Sequence, residues 1–207
     1  AGLWTMIDNT FASPVNQNPI ALGIDVVLHS ATKYLGGHSD ICAGVVLGTK
    51  ECIERVFSSA KNFGGSLSDY TVWLLERSVK TLFIRVQAQN ENAQQVAEFL
   101  DHADWVDHVF YPGLKSHPDH ELAKAQMHGF GGMLSFNLGK QIDSKKFLLS
   151  LALIKPTMSL AGIESTALSP HLTSHALLTE EERLAQGITP QMIRFSTGIE
   201  AIEDIKA

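Results

Sequence analysis

From Tyr70 to Leu100 the chain contains neither proline nor glycine, and apolar residues recur at helical spacing: Leu74, Leu75, Val79, Leu82 and Val86, then Val96, Phe99 and Leu100. Ser68 or Asp69 supplies an N-cap just ahead of it. The pattern predicts one or two long helices able to bridge whatever lies on either side. Upstream, three short apolar runs end in polar residues: Leu3 to Ile7 before Asp8, Ile24 to Leu28 before His29 and Ser30, and Ile41 to Leu47. Runs of this length fit buried strands of an α/β sheet. Lys50 to Phe57 reads as a helix, with a break at Phe63-Gly64-Gly65-Ser66.

Downstream, the pattern changes. Trp105 to Tyr111 reads as a strand closed by Pro112-Gly113. Gly131 to Leu138 alternates as a strand, Lys145 to Leu151 as a helix, and Gln191 to Ser196 as a strand leading to Gly198 and a last helical start. Mixed elements of this kind suggest a small α+β unit with an antiparallel sheet. The chain is therefore expected to divide near residue 80, into 1–80 and 81–207.

Composition excludes several classes. A hydrophobic content of 44% with 18% charged residues is that of a folded globular chain. No apolar run is long enough to cross a bilayer, and no basic leader precedes the apolar start. The formal charge of −6 carries no offsetting Lys/Arg stripe, so nucleic acid is not an expected partner. Two cysteines, Cys42 read as core strand and Cys52 at a helix start, suit a reducing cytoplasm. Because the chain opens straight into what reads as a buried strand, further sequence upstream is expected.

Asp8 and Lys33 both follow an apolar strand, and in open α/β sheets ligands bind at the carboxyl ends of strands. Around Lys33 the sequence is His29-Ser30-Ala31-Thr32-Lys33-Tyr34-Leu35-Gly36-Gly37-His38. Ser30 and Thr32 are two apart, so in extended backbone they face one way. Two hydroxyls beside a lysine, with a Gly-Gly turn following, can grip a phosphate and leave the amine free. Taken singly, each residue has a plainer reading: a solvated lysine, a turn aspartate, common hydroxyls. Gly129-Phe130-Gly131-Gly132 lacks the spacing of a dinucleotide loop and reads as a tight turn before a strand. Of nine histidines, His117 and His120 are three apart, but no Cys or carboxylate set completes a metal site.

Asp8-Asn9-Thr10-Phe11-Ala12-Ser13-Pro14, followed by His29 to Tyr34, closely resembles the cofactor region of the Cys/Met-metabolism enzymes that use pyridoxal 5'-phosphate (PLP). That family includes cystathionine γ-synthase, cystathionine β- and γ-lyases, methionine γ-lyase and the homoserine-ester sulfhydrylases. The resemblance continues through Thr81-Leu82, Arg85, Asn92-Ala93, Tyr111 to Leu114, Gly131 to Phe136, Ser159 to Ser165 and Ile193 to Glu200, in the family's order.

It implies the type I fold of PLP-dependent transferases, with part of the large PLP-binding domain followed by a C-terminal α+β domain. Lys33 would be the Schiff-base lysine and proton carrier, and Asp8 the partner of the pyridinium nitrogen. Ser30 and Thr32 would hold the phosphate, with Thr10 along the ring. Ser159 and Arg194 would bind the substrate α-carboxylate, Arg194 as a bidentate fork. On residues alone Arg194, between Ile193 and Phe195, reads equally as a strand residue facing solvent.

The implied function is lysis or γ-replacement at a sulfur amino acid, in a cytoplasmic homotetramer. Met158, where cystathionine-processing relatives often carry Glu, leans towards methionine γ-lyase, as does Ser174-His175-Ala176 before Glu180 to Arg183. Ala161 stands where the family usually has Gly, and Ser174 where it usually has Thr. The chain is half the family's usual length and lacks the Gly-Met phosphate loop and the ring-stacking tyrosine. It also lacks the Tyr and Arg that reach into a neighbour's site, so alone it is expected to be inactive. The rival reading is a non-catalytic module with an incomplete cofactor site. A nicotinamide enzyme fails for want of a glycine fingerprint.

Overall fold

The computed structural model describes residues 2–207. Two sheets organise it. The first contains β1 (Met6–Asp8), β2 (Val26–Ser30) and β3 (Gly44–Gly48) in the order β1-β2-β3. β1 runs parallel to β2, with Asp8 opposite Leu28; β3 runs antiparallel to β2, with Ser30 opposite Gly44. The short α1 (Ser13–Asn16) lies in the β1–β2 connection.

The apolar start is shorter as a strand than its sequence predicts, and it is not buried. Leu3, Trp4 and Met6 are exposed; the helix after β3 reaches this edge only loosely, with the Arg55 guanidinium 5.2 Å from the centroid of the Trp4 ring. Cys42 is likewise an exposed loop residue rather than core strand; the strand begins two residues later, at Gly44.

α2 (Lys50–Phe63) is capped by the Thr49 hydroxyl, which accepts from the Cys52 N–H, and is stopped by Gly64 in the left-handed region at φ 76°. It runs past the expected Phe57, because Ser58, Ser59, Ala60 and Lys61 are all compatible with helix. The long glycine-free segment is two helices, α3 (Asp69–Val79), capped by Ser68, and α4 (Leu82–Asp101). The break needs no Pro or Gly. The Thr81 hydroxyl and the Arg85 guanidinium both donate to the Ser78 carbonyl, which withdraws it from regular helix bonding.

The second sheet has five strands. β4 (Val106–Phe110) is followed by α5 (His120–Gln126), β5 (Met133–Leu138), α6 (Ser144–Ser150), β6 (Lys155–Pro156) and β7 (Thr166–Leu168). α7 (Glu180–Ala185), β8 (Met192–Ser196) and α8 (Ile202–Lys206) complete the chain. The strand order is β4-β5-β8-β7-β6, antiparallel except between β6 and β7. Leu134, Phe136, Leu138, Ile193 and Phe195 alternate towards one face and pack on Ala93, Val96, Ala97 and Leu100 of α4. α4 thus serves as the core helix of the second sheet, while its first turn reaches back to the Lys33 loop.

Candidate active site

The carboxyl ends of β1 and β2 lie side by side, and the loops leaving them converge. Asp8, Thr10, Phe11, Ser30 and Lys33 line one cavity of about 390 Å³. Its geometry is set by short polar ties. The Asp8 carboxylate accepts from the Thr10 N–H at 2.9 Å. The Thr10 hydroxyl oxygen accepts from the Ser30 N–H at 2.7 Å, which locks the β1 loop onto the end of β2. The Thr10 hydroxyl and N–H hold Asp8 below the usual carboxylate range, with a smaller contribution from His29, so Asp8 stays anionic at neutral pH. Lys33 sits in the turn after β2 and makes no ion pair among the described residues.

The backbone turns at Thr32 instead of staying extended, so Ser30 and Thr32 do not simply face one way. The Thr32 hydroxyl accepts from the Ala43 N–H at 2.9 Å and directs its own proton at the Ala43 carbonyl over a long 3.3 Å. That weak donation is one a phosphate oxygen can replace.

Three residues behind the cavity fix the lysine turn. Tyr34 is buried, and its hydroxyl accepts from the Gly132 N–H at 2.9 Å, which joins the turn to the start of β5. Arg85 is a buried cation with no carboxylate partner among the described residues; it donates to the carbonyls of Tyr34 at 2.8 Å, Leu35 at 3.4 Å and Ser78 at 2.9 Å. Gly37, at φ 71°, lies against that guanidinium, and a Cβ there would collide with it. Phe11 lines the cavity without a chemical signature of its own; its place in the loop after Asp8 is its one sequence signal.

Ser159 and Arg194 form a second cluster. Arg194 donates to the carbonyls of Met158 at 3.0 Å and Ser159 at 3.4 Å. Its Nε is buried without a partner, and burial draws the guanidinium below its ordinary range. An anion seated there would satisfy the orphaned donor. The Ser159 hydroxyl lies 3.1 Å from that of Ser39, in the loop that follows Lys33. The histidine pair has other duties: His117 accepts from the Asp119 N–H, and His120 bonds the Pro112 carbonyl and stacks on Phe130.

The family described as Cys/Met metabolism PLP-dependent enzymes matches residues 1–207. The chain belongs to that family. Among its relatives, it is 48% identical over 202 residues to a cystathionine beta-lyase of Lactococcus lactis subsp. cremoris, covering 97% of this chain and 53% of the relative. It is 42% identical to an L-methionine gamma-lyase of Fusobacterium nucleatum subsp. polymorphum, covering 98% of this chain and 52% of the relative. The crystal structure of cystathionine gamma-lyase from Lactobacillus plantarum complexed with L-serine superposes with a TM-score of 0.93 at 41% identity, over 98% of this chain and 54% of that one. Cystathionine gamma synthase from Xanthomonas oryzae pv. oryzae, in complex with aminoacrylate and cysteine, gives 0.94 at 40% identity, over 99% and 54%. The chain spans about half the length of the curated relatives it matches.

The two clusters fit the needs of a PLP family. A carboxylate held anionic suits a protonated pyridine nitrogen, a lysine without an ion pair suits an aldehyde, and an orphaned guanidinium N–H suits a carboxylate. The fold is that of PLP-dependent cystathionine lyases and synthases. No helix among the described residues is long and apolar enough to cross a membrane.

Proposed function

We propose that the protein carrying this chain is a PLP-dependent enzyme that cleaves or replaces the γ- or β-substituent of a sulfur amino acid. The observation that carries this reading is the meeting of Asp8, Thr10, Ser30 and Lys33 around one cavity at the carboxyl ends of two strands. Bound pyridoxal phosphate supplies an electron sink that stabilises negative charge on the carbon beside the substrate amine. Asp8 holds the proton on the ring nitrogen, and Thr10 holds Asp8 ready to do so. Ser30 and Thr32 would hold the phosphate through their hydroxyls, the Thr32 hydroxyl having only a long bond to the Ala43 carbonyl to trade for it. The Lys33 amine takes the proton from the substrate Cα and delivers one to the departing sulfur. Arg194 grips the α-carboxylate, with Ser159 beside it.

Residues 1–80 are the end of the PLP-binding domain and 81–207 the C-terminal domain in this reading, with α4 in both neighbourhoods. Met158 is exposed next to Ser159 and offers no acid for a distal ammonium, which favours a methionine γ-lyase-like substrate over cystathionine. Exposed Tyr70, Trp73, Phe83 and Ile84 on α3 and α4 support a homo-oligomer, a tetramer by family likeness. They also favour a second reading, in which this chain alone is an assembly module. Two free cysteines agree with a cytoplasmic site.

The deciding experiment incubates the protein with PLP, reduces it with borohydride and maps the modified peptides. A pyridoxyl group on Lys33 is expected. Modification of the full-length protein confined to other lysines would sink the enzyme reading and leave the module; labelling of Lys33 in the full-length protein but not in this chain alone would keep the enzyme reading and make the chain an inactive piece.

A further inference from the structure

Ser39 is the one described residue whose side chain bonds the Ser159 hydroxyl, across 120 positions of sequence. Everything else about Ser159 is fixed through its backbone. Its carbonyl accepts from the Thr166 hydroxyl at 2.9 Å and from Arg194 at 3.4 Å, and its N–H donates to the Thr157 hydroxyl at 3.4 Å. The direction of its own O–H is left to Ser39.

The surroundings hold this contact with care. Ser39 has φ 57° and Ala161 has φ 61°, left-handed conformations that are costly for residues with a Cβ. The Ala161 N–H donates to the Ser196 hydroxyl at 2.7 Å, and the Ile163 N–H donates to the Gly37 carbonyl at 3.0 Å. A Cβ on Gly162 would come within 3.0 Å of the Ser39 hydroxyl. The Gly37 N–H in turn bonds the Lys33 carbonyl at 2.7 Å. Ser39 therefore stands two residues after Gly37, which is tied through its N–H to the lysine turn and through its carbonyl to the segment bearing Ser159. An exposed hydroxyl pair competes with water and adds little to stability. A strained backbone that maintains one serves direction instead.

We infer that Ser39 is a positioning residue for the amino-acid carboxylate: its O–H donates to the Ser159 oxygen and so turns the Ser159 O–H towards the anion held by Arg194. The inference rests on the carboxylate role of Arg194 proposed above. It makes Ser39 relevant to ligands that carry a carboxylate and irrelevant to those that do not.

The test uses the PLP-loaded protein and two probes, L-serine and ethanolamine, the same amine without the carboxylate, with binding read from the cofactor's absorbance. Ser39→Ala removes the hydroxyl and keeps the strain; Ser39→Gly removes both. Both variants are expected to weaken L-serine binding by about fivefold, the worth of one hydrogen bond, and to leave ethanolamine within about twofold. Parent-like L-serine binding in Ser39→Gly, or equal weakening of both probes in either variant, would overturn the inference by making the backbone the cause. Arg194→Ala separates the two proposals. If it abolishes the preference for L-serine while the Ser39 variants keep it in full, Ser39 is excluded and the carboxylate reading stands. If it leaves the preference intact, both fall.

Discussion

The two sheets are built on different principles. The five-stranded sheet buries a continuous apolar face: Leu138 and Ile193 have no measurable exposure, and Phe136 and Phe195 have 2% and 4%. The three-stranded sheet carries the cavity, yet Leu3, Trp4, Met6 and Leu47 beside it are exposed, and α2 buries only Cys52. Beside the small apolar cluster of Ala31, Leu35, Ile41 and Ala43, what fixes the cavity region is a set of polar ties: Thr10 on Ser30, the Asn9 N–H on Leu28, Asn16 on Asn90, Tyr34 on Gly132 and Arg85 on the lysine turn. Apolar packing gives a stable frame without fixing any one atom, whereas hydrogen bonds fix direction. The molecule uses each where its property is needed.

The contrast makes the largest effects of substitution fall far from the cavity. Phe136→Ala removes a ring packed edge-on against Trp105 and Phe147 and should cost about 3–5 kcal/mol in denaturant unfolding. A cost below 1 kcal/mol would mean that the second sheet is not the frame. Arg85→Leu comes next. It strips the Tyr34 and Leu35 carbonyls of their side-chain donor, takes one of several donors from the Ser78 carbonyl, and should cost about 2–3 kcal/mol. Unlike Phe136→Ala, it should also slow PLP labelling of Lys33 under conditions where the variant is folded, because the turn that presents the amine loses its tie.

Tyr34→Phe should cost about 1–2 kcal/mol, since the Gly132 N–H is left buried without an acceptor. It also has a pH signature. Burial pushes the Tyr34 hydroxyl up from 10.0 to about 12, against the opposing effect of the Gly132 hydrogen bond. Folding thus favours the protonated phenol. Its contribution is complete below pH 10 and is lost as the pH rises from 10 towards 12. Tyr111 is shifted in the same direction by burial. The variant should show a shallower alkaline loss of stability over that window, with the Tyr111 part remaining. An unchanged slope would remove Tyr34 from the tie between the regions.

Much of this was legible in the sequence because its signals are local. Asp8 and Lys33 were placed at strand ends by the apolar runs ahead of them, and α3 and α4 by spacing. Family resemblance, not periodicity, supplied the pairing of Ser159 with Arg194. What escaped was set at a distance. Arg85 reads as one polar residue of a helix; its three carbonyl partners lie outside its own turn or in the Tyr34 loop. The break at Thr81 carries no Pro or Gly. α7 had a readable signal, the capping box of Thr179 and Glu182, but no apolar stripe behind it. Leu3, Trp4, Met6 and Cys42 are exposed where their apolar runs predict burial, because such runs show what a segment can bury, not how fully another element covers it.

That last point gives the smallest expected effect and the sharpest check on the contrast. Leu47 pairs with Val27 across the first sheet but stands 44% exposed, where its counterparts in the second sheet are sealed. Leu47→Ser should change the stability of this chain by no more than about 0.5 kcal/mol, as for an exposed position away from any tie. Measured in dilute and concentrated samples of the chain, the cost should be the same. A cost above about 2 kcal/mol that appears only at high concentration would mean that another copy covers this face, since a partner's contribution scales with its concentration and an internal contact does not. The first sheet would then be apolar-packed after all, with its cover supplied by assembly, and the division between an apolar frame and a polar site would belong to the single chain alone.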